Sequence, residues 1–282
     1  MRVALIGAGG QLASDLAPLF PDLIPLTHEE LDIVDVEAVS NVLDAARPDV
    51  VINTAAYNLV DKAESEPERA FAVNAIGPAH LARYCGSREL TLVHFSTDYV
   101  FGLGLPSPLR PWREDDVPVP VSLYGASKLA GEHAVRMNCP RHFVVRTCGL
   151  YGRAATKAKG NFVQTMLRLA REKPELRVVS DQICTPTWTR DVAAATARLL
   201  ATDAYGLYHA TNSGQCSWHA LASEAVRLAG LPTPVTAIPS SEYPTAARRP
   251  PYSRLDCSKL ERITGMTMPS WQEAVSQYLK TV

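Results

Sequence analysis

The sequence of 282 residues lacks an excess of charge of either sign. Its 28 Lys and Arg residues nearly balance its 29 Asp and Glu residues, so the net charge is −1. Proteins that bind nucleic acid or anionic membranes through electrostatics usually carry a clear basic patch. We therefore expect neither nucleic acid nor a membrane as a partner.

Long apolar runs and internal repeats are also missing. A membrane-spanning helix needs about 18 consecutive apolar residues, and the sequence has no such run. The first predicted strand begins at Arg2, and we therefore expect no secretory signal peptide. The 46% hydrophobic and 20% charged residues are typical of a globular protein, and the chain is long enough to bury a substantial core.

Cysteines are few and scattered along the chain. None of the six stands in a Cys-x-x-Cys pair or at zinc-binding spacing to a histidine: Cys85, Cys139, Cys148, Cys184, Cys216 and Cys257. This arrangement favours reduced thiols in a cytoplasmic protein and argues against a zinc site.

Short apolar runs alternate with helical segments through the first half of the chain. Predicted strands cover residues 2–6, 23–26, 49–53, 91–95 and 142–146. Predicted helices cover residues 36–46 and 67–83 and a segment that begins at Tyr124. This alternation predicts an α/β fold with a Rossmann-like doubly wound parallel sheet.

After Cys148 the alternation becomes less regular. Helices are predicted over residues 160–171, 191–202 and 218–229, and strands over 177–180 and 206–210. The remainder, which includes the proline-rich residues 244–251, is predicted to be irregular. We expect an NAD(P)-binding domain over residues 1–150, with residues 181–204 returning to it. Residues 151–282 are expected to form mainly a substrate-binding lobe.

A glycine-rich turn follows the first predicted strand at once. It reads Gly7-Ala-Gly-Gly10-Gln-Leu-Ala13 and leads into a predicted helix. Glycines let the backbone approach a pyrophosphate, and a helix N-terminus favours its negative charge. The spacing differs from the commoner Gly-x-Gly-x-x-Gly, and the alternative is a tight turn without a ligand. We predict a dinucleotide site at this turn.

Two further stretches are candidates for cofactor contacts. The second strand ends at Thr27-His28, which is neither the acidic residue that binds a ribose 2′-hydroxyl nor the Arg that binds a 2′-phosphate. Asp32 is a candidate for the adenine side, or else a surface residue before the next helix. Thr54 to Tyr57 follow the third strand, and ligands bind at the carboxyl ends of such strands.

The segment Tyr124-Gly-Ala-Ser-Lys128 is the candidate for catalysis. Residues four apart lie on one helix face, so the phenol of Tyr124 and the ammonium of Lys128 are expected to point the same way. A nearby positive charge lowers the pKa of a tyrosine, which can then exchange a proton with a substrate oxygen near neutral pH. Thr97 stands at the end of the fourth strand, at the same edge of the sheet.

These motifs together resemble those of the dTDP-4-dehydrorhamnose reductases, a family within the extended short-chain dehydrogenase/reductase superfamily. The similar segments span essentially the whole chain. They are Gly10-Gln11-Leu12, Leu31-Asp32-Ile33, residues 60–67, 96–101 and 124–132, Asn161-Phe162, residues 166–170 and Arg248-Arg249-Pro250.

The resemblance implies NADPH- or NADH-dependent reduction of the 4-keto group of dTDP-4-dehydro-L-rhamnose, a nucleotide sugar, to dTDP-L-rhamnose, and it allows a homodimer. It makes Tyr124 the proton donor and Thr97 a hydrogen-bond partner of the carbonyl oxygen. Lys128 would lower the Tyr124 pKa and hold the nicotinamide ribose. The implied cofactor contacts are Gly7, Gly10, Gln11, Leu12, Asp32, Ile33, Ala55, Ala56, Tyr57 and Asn58. The implied substrate contacts are Val60, Thr97, Asp98, Gly149 and Arg249.

Two positions depart from the family pattern. Gly149 stands where the family usually has a Trp that contacts the deoxysugar, and losing an indole removes a large apolar wall. Ala56-Tyr57-Asn58 replaces the usual Ala-His-Thr, and the bulkier phenol is expected to reshape the nicotinamide pocket.

Several candidate residues have a structural alternative. Thr97 and Asn161 are both suited to capping, and Arg248 and Arg249 to a solvated surface rather than the substrate diphosphate. Cys148 is expected to be a packing thiol rather than a catalytic one.

Three other functions compete with reduction. A dehydratase is disfavoured because its relatives have Thr-Asp-Glu, whereas this chain has Thr97-Asp98-Tyr99. A 4-epimerase would use the same Tyr and Lys with tightly retained NAD. A non-catalytic subunit, similar to the methionine adenosyltransferase beta subunit, would bind NADP without turnover. The intact set of Thr97, Tyr124 and Lys128 argues against the non-catalytic subunit, whereas the sequence excludes the epimerase less firmly.

Overall fold

The computed structural model describes residues 1–104, 106, 109–154 and 160–282 of the chain. Strands and helices follow one another in this order: β1 Val3–Ile6, α1 Gln11–Leu16, β2 Leu23–Leu26, α2 Val36–Ala46, β3 Val50–Asn53, α3 Pro67–Phe71, α4 Gly77–Ser87, β4 Thr91–Thr97, α5 Leu123–Asn138, β5 His142–Thr147, β6 Leu150–Tyr151, α6 Phe162–Glu172, β7 Leu176–Val179, β8 Ile183–Cys184, β9 Thr187–Trp188, α7 Thr189–Leu200, β10 Gly206–His209, β11 Cys216–Ser217, α8 Trp218–Leu228, β12 Val235–Ile238, α9 Ser258–Thr264 and α10 Trp271–Leu279. A π-helical segment, Ala72–Ile76, joins α3 to α4.

The main sheet has six strands in the order β10-β5-β4-β3-β1-β2, and every neighbouring pair is parallel. The chain enters at β1, places β2 on one side and then continues with β3 on the other. In such a sheet the crevice for a ligand opens at the carboxyl ends of the strands where the order reverses, here β1 and β3. The predicted doubly wound parallel sheet is confirmed.

Both faces of this sheet are covered by helices, because its strands are apolar on both sides. Val3 and Leu5 pack in a cluster with side chains of α1 and α7. Ala4 and Ile6 pack in a second cluster with side chains of α2, α4 and α5. Alternate residues of one strand thus enter opposite layers, as the period of a strand requires.

The later elements build further apolar clusters of their own. One joins Trp188, Leu221, Trp271 and Tyr278 with neighbouring side chains, and another joins α6, β7 and α8. Short pairings connect β6 with β9, β7 with β12, and β8 with β11. The division of the chain into a cofactor domain and a substrate lobe stays a prediction.

The assignment of strands to the main sheet needed a correction. The sequence predicted five strands in it and placed residues 206–210 among the later segments. In the structure Gly206 pairs with Phe143 and β10 becomes the edge strand next to β5. The apolar pattern of a short strand predicts its conformation, but it does not say which strand will be its neighbour.

Two other expectations were wrong. The helix predicted over residues 67–83 is interrupted by the π-helical segment and ends at Ser87. The chain after residue 229 was expected to be irregular, yet it contains β12, α9 and α10. The start of α10 had a readable signal, since Ser270 and Glu273 form a capping box.

No helix in the described ranges is long and apolar enough to cross a membrane. Within the same ranges, no group of three or more His, Cys, Asp or Glu side chains is arranged to hold a metal ion.

Candidate active site

Helix α5 carries the catalytic candidates, and its placement is fixed at two points. Its N-cap Ser122 accepts a hydrogen bond from the Gly125 amide at 3.2 Å. A Cβ atom at Gly131 would lie only 2.1 Å from the carbonyl oxygen of Asn74, so only glycine allows this close approach. The first two turns of α5, with Tyr124 and Lys128, are thereby held beside the carboxyl end of β4.

Thr97 is the last residue of β4, and its hydroxyl is close enough to the Tyr124 phenol to lower the pKa of that phenol. Its hydroxyl also accepts a hydrogen bond from the Tyr99 amide at 3.2 Å and donates one to Asp98 Oδ1 at 3.1 Å. The capping role and the catalytic placement therefore coexist at Thr97.

Burial raises the pKa of Tyr124 to about 12, while the hydrogen bond with Thr97 lowers it and the charge of Asp98 raises it. The sequence predicted a lowered pKa, whereas the net pKa of Tyr124 is raised; the contribution of Lys128 to it stays a prediction. Burial of the phenol is the larger effect, because the anionic form loses its hydration. At neutral pH the phenol keeps its proton, which is the form that a proton donor requires.

Lys128 is buried, and its ammonium donates a hydrogen bond to the Phe95 carbonyl oxygen at 2.7 Å. Burial lowers the pKa of Lys128 to about 8, and the charge of Glu132 raises it. At neutral pH the side chain is therefore mostly protonated. It supplies a positive charge on the same helix face as the phenol, one turn away.

Asp98 lies at the centre of a buried polar cluster. Its Oδ2 atom accepts hydrogen bonds from Ser253 Oγ at 2.6 Å and from Cys148 Sγ at 3.0 Å. Burial raises the pKa of Asp98, and the hydrogen bonds from Cys148, Ser253 and Thr97 lower it. Burial also raises the pKa of Cys148, which keeps the sulfur a neutral donor.

Ser253 was missed by the sequence analysis. It lies beyond the proline-rich stretch, in an extended segment whose backbone bonds to β8: the Ser253 amide donates to the Ile183 carbonyl oxygen at 2.8 Å. No local motif marks this serine, because its partner Asp98 is remote in sequence.

The turn after β1 is shaped to admit phosphate groups. Gly7 has a φ of +78°, and a Cβ atom there would lie 2.8 Å from the Ala55 amide nitrogen, so the turns after β1 and β3 touch. A Cβ atom at Gly9 would meet open space. The N-cap Gly10 offers no side chain to the first-turn amides, and free amides with the helix dipole suit a pyrophosphate.

The side chains after Gly10 point inward. Leu12 is buried in the core, which leaves its backbone amide as the group available to a ligand. Gln11 Nε2 donates to the Leu150 carbonyl oxygen at 3.2 Å, and its buried Oε1 atom has no hydrogen-bond partner among the described residues. These features fit the dinucleotide site that the sequence predicted.

The candidates for adenosine contact lie in the loop after β2. Asp32 is exposed, and its Oδ1 atom accepts a hydrogen bond from the Val34 amide at 3.0 Å. Ile33 is buried in contact distance of Gly77 at the start of α4. The roles of Asp32 and Ile33 toward adenosine stay predictions.

The turn after β3 is tied to the catalytic helix by Asn74. Its Oδ1 atom accepts a hydrogen bond from the Tyr57 amide at 2.9 Å, and its Nδ2 atom donates to Ser127 Oγ at 3.0 Å. Ala55 is half-buried, whereas Ala56 and Asn58 are exposed. The sequence analysis assigned no function to Asn74, which bridges two regions that are distant along the chain.

The side chain of Tyr57 is buried against neighbouring residues. It donates a hydrogen bond to Glu66 Oε2 at 2.7 Å, and its ring packs in one cluster with Ala63, Ala70 and Tyr124. The departure from the family pattern at this position thus places a second phenol next to the catalytic candidate.

Arg249 is brought to the site by two contacts. Its Nη2 atom lies 2.8 Å from Asp61 Oδ2, and its guanidinium carbon lies 5.9 Å from the centre of the Tyr99 ring. Its buried Nη1 atom has no hydrogen-bond partner among the described residues. Arg248 is exposed, and Val60, next to Asp61, is half-buried.

Asn161 caps α6, as one of its two interpretations predicted. Its Oδ1 atom accepts a hydrogen bond from the Gln164 amide at 3.0 Å, and its Nδ2 atom donates to the Gly152 carbonyl oxygen and the Tyr278 hydroxyl at 2.9 Å.

Gly149 follows Cys148 on the loop after β5, with a φ of +51°. A Cβ atom there would lie 3.3 Å from Cη2 of Trp218 and 3.3 Å from Cα of Pro186. The indole of Trp218 therefore lies next to the position that the Cβ atom of a larger residue at 149 would occupy. The sequence did not indicate this proximity.

Comparison with known proteins agrees with this geometry. The family described as RmlD substrate binding domain matches residues 1–282. Spore coat polysaccharide biosynthesis protein SpsK of Bacillus subtilis (strain 168) is 38% identical, with 99% of this chain and 97% of that protein aligned. The dTDP-4-dehydrorhamnose reductase of Sinorhizobium fredii is 40% identical, with 97% and 95% aligned.

A solved structure provides the three-dimensional counterpart. The dTDP-4-dehydrorhamnose reductase of Bacillus anthracis, in complex with NADP, has a TM-score of 0.93 and 37% identity to this chain, and covers 100% of this chain and 99% of its own. Sequence and fold agree from end to end, and so the chain belongs to the dTDP-4-dehydrorhamnose reductase family.

Proposed function

We propose that this protein reduces the 4-keto group of dTDP-4-dehydro-L-rhamnose to give dTDP-L-rhamnose, with NADPH or NADH as the reductant. The observation that carries this proposal is that Thr97 ends β4 beside Tyr124 at the start of α5, with the buried ammonium of Lys128 one helical turn away. The named activity of its relatives supports the same reaction.

The cofactor is held by the turn after β1. Gly7 and Gly10 leave room for the pyrophosphate, and the first-turn amides of Gln11 and Leu12 donate to it. Asp32 and Ile33 lie on the adenosine side, and Ala55, Ala56, Tyr57 and Asn58 border the nicotinamide side. When bound, the reduced nicotinamide supplies the hydride that adds to C4 of the sugar.

The protein supplies the proton and stabilises the charge. As the C4 carbonyl becomes an alkoxide, the neutral phenol of Tyr124 gives its proton to that oxygen: the phenol O–H bond breaks and a new O–H bond forms on the C4 oxygen. The Thr97 hydroxyl hydrogen-bonds the same oxygen, and the positive charge of Lys128 stabilises the phenolate that remains. These charges develop in a site where burial strengthens electrostatic interactions.

Asp98, Val60 and Arg249 form the substrate side of the site. Asp98 is immobilised by Ser253 and Cys148, so its oxygens keep a fixed position toward the sugar hydroxyls. Arg249 has a guanidinium nitrogen without a partner among the described residues, and a planar guanidinium suits a diphosphate. The loop at Gly149 borders the sugar, and Trp218 beside it replaces part of the apolar surface that a side chain there would provide.

The protein acts in the cytoplasm. All six cysteines are free and five of them are buried, which fits a reducing compartment. A homodimer stays a prediction that rests on the family resemblance.

The direct test is oxidation of NADPH and of NADH in the presence of dTDP-4-dehydro-L-rhamnose generated in the reaction mixture. Stoichiometric oxidation with dTDP-L-rhamnose as the product, identified by mass spectrometry and NMR, is the expected result. Release of a C4 epimer without net oxidation would indicate the epimerase instead. Tight NADPH binding without turnover on this or related nucleotide-sugar ketones would indicate a non-catalytic subunit.

A further inference from the structure

Glu132 stands one turn after Lys128 on α5 and is fully buried. It belongs to the segment of residues 124–132 that carried the family resemblance, yet the reaction as described gives it no task. A carboxylate is rarely buried unless it is paired and hydrogen-bonded, because its dehydration is costly. The burial of Glu132 one helical turn from Lys128 therefore indicates that the carboxylate has a specific role.

Its partners hold the carboxylate in one place. Arg146, on β5, donates to Glu132 Oε1 from Nε at 2.8 Å and to Oε2 from Nη2 at 2.7 Å. Ser96, on β4, donates to Oε1 at 2.5 Å. This two-pronged contact fixes the orientation of both oxygens. The ion pair of Glu132 is thus made with Arg146, which leaves the Lys128 ammonium on the Phe95 carbonyl oxygen.

The surrounding histidines add no charge to this group. His209, on β10, lies 3.4 Å from Arg146 Nη1, and burial lowers the pKa of His209 to about 3. His94, on β4, is also buried, and burial together with the charge of Lys128 lowers its pKa well below the ordinary value. Both imidazoles are neutral at physiological pH.

The charged side chains that α5 and β5 bring together are consequently those of Lys128, Glu132 and Arg146. Asp98, which directly follows β4, lies on the side of Tyr124. Two of the three are positive. Without the carboxylate, the buried cations of Lys128 and Arg146 would remain in one region with no anion between them. Lys128 would then lose its proton more readily, because the guanidinium of Arg146 stays protonated.

We propose, on the basis of the function proposed above, that Glu132 is a positioning residue for the reaction: held by Arg146 and Ser96, its carboxylate keeps Lys128 positively charged while leaving the ammonium free to act on Tyr124 and the cofactor. Arg146 prevents the carboxylate from turning to pair with Lys128 directly. The lysine gains a nearby negative charge without having its hydrogen-bonding directions blocked.

The test is the pH dependence of kcat/KM and of NADPH affinity in Glu132→Gln. Burial and the Glu132 charge together leave the pKa of Lys128 at about 8. Removing the carboxylate is expected to move the alkaline limb of both profiles to lower pH by about one unit. Below that limb kcat stays close to the wild-type value, whereas near pH 8 the KM for NADPH rises.

A matched control and a second variant separate this role from a structural one. Glu172→Gln breaks an exposed Arg–Glu contact of 2.8 Å on α6 and is expected to leave both limbs unchanged. Glu132→Gln combined with Arg146→Met removes both members of the buried pair, and such replacements commonly preserve folding. In the double variant the alkaline limb is expected to stay displaced to lower pH. The displacement is smaller than in Glu132→Gln, because the positive charge of Arg146 has also been removed.

Return of the wild-type limb in the folded double variant would overturn the proposal, as would an unchanged limb in folded Glu132→Gln. Failure of the proposed reaction gives a different pattern. If the wild-type protein shows no turnover, the proposed substrate is rejected. If NADPH affinity nevertheless declines at a lower pH in Glu132→Gln than in wild type, the role of Glu132 is still supported.

Discussion

Ser253 Oγ donates a hydrogen bond to Asp98 Oδ2 at 2.6 Å, and 155 positions in the sequence separate the two residues. The contact joins the end of the main sheet to the segment that follows the proline-rich stretch. It means that the orientation of the carboxylate that we propose for the sugar site depends on a distant part of the chain.

Ser253→Ala should therefore weaken substrate binding more than catalysis. A hydrogen bond to a charged group contributes about 1.5–3 kcal/mol, which corresponds to a rise of at least about tenfold in the KM for the nucleotide sugar. Steady-state kinetics with NADPH held at saturation measures this. Ser240→Ala, which removes an exposed serine contact with Asp181 at 2.9 Å, is the control and should leave the KM unchanged. An unaltered KM in Ser253→Ala would reject the role given to Asp98.

Tyr124→Phe should leave NADPH affinity nearly unchanged and lower kcat by about 10²–10⁴-fold, because the lost hydroxyl acts only in the transition state. Fluorescence titration of NADPH and initial rates give the two quantities. Tyr57→Phe removes a phenol that packs in the same cluster but bonds to Glu66, and it should retain most of the activity. Turnover of Tyr124→Phe within about threefold of wild type would contradict the assignment of the proton donor.

Lys128→Met should inactivate the enzyme and stabilise the fold. The pKa of Lys128 is about 8 in the folded protein, below the ordinary value of 10.5. Below pH 8 the amine is charged in both states, so the folded state bears the full cost of burial. That cost declines as pH rises from 8 to 10.5, where the folded state has released its proton and the unfolded state has not.

The lowered pKa of Lys128 corresponds to a destabilisation of the folded state by about 3 kcal/mol, which Lys128→Met removes. The variant also loses the hydrogen bond to Phe95, which offsets about 1 kcal/mol of this gain. A net gain of about 2 kcal/mol is expected at pH 7, with a smaller gain near pH 10. Urea unfolding at both pH values measures it. A variant less stable than wild type at pH 7 would show that burial of this charge is not a cost to the fold.

Arg249→Gln should reduce the affinity for dTDP by about tenfold, since it removes the charge-assisted contact that we propose with the diphosphate. Isothermal titration with dTDP alone gives the value without turnover. Arg248→Gln removes the neighbouring, exposed guanidinium and serves as the matched control, with an affinity close to wild type. Equal losses in the two variants would favour a general surface charge over a specific diphosphate contact.

Local patterns account for the parts of the fold that the sequence predicted. The apolar run of β1 followed by Gly7 and Gly10 marks a buried strand and a tight turn, because few other residues allow that geometry. The spacing of Tyr124 and Lys128 places both on one helix face, since an α-helix repeats every 3.6 residues. Residues within about one turn of each other are thus related by the chain itself.

The environment of those residues was decided by tertiary packing. Burial moved the pKa of Tyr124 upward, against the prediction made from Lys128 alone. Asn74, Glu132 and Ser253 gained their roles from partners in other elements: Ser127, Arg146 and Asp98. No periodicity or short motif encodes such pairs, because they depend on how separate helices and strands approach one another.

The sequence by itself thus determined a parallel α/β sheet, and it predicted the phosphate-binding turn and the proton donor. Each of these follows from the conformational limits of a few consecutive residues. Only the tertiary structure decided that β10 completes the main sheet and that Trp218 stands beside Gly149. The same is true of the carboxylate that faces Lys128 and is anchored by Arg146. Burial and long-range contacts set the energy of charges and the shape of pockets, and both arise only when distant segments pack together.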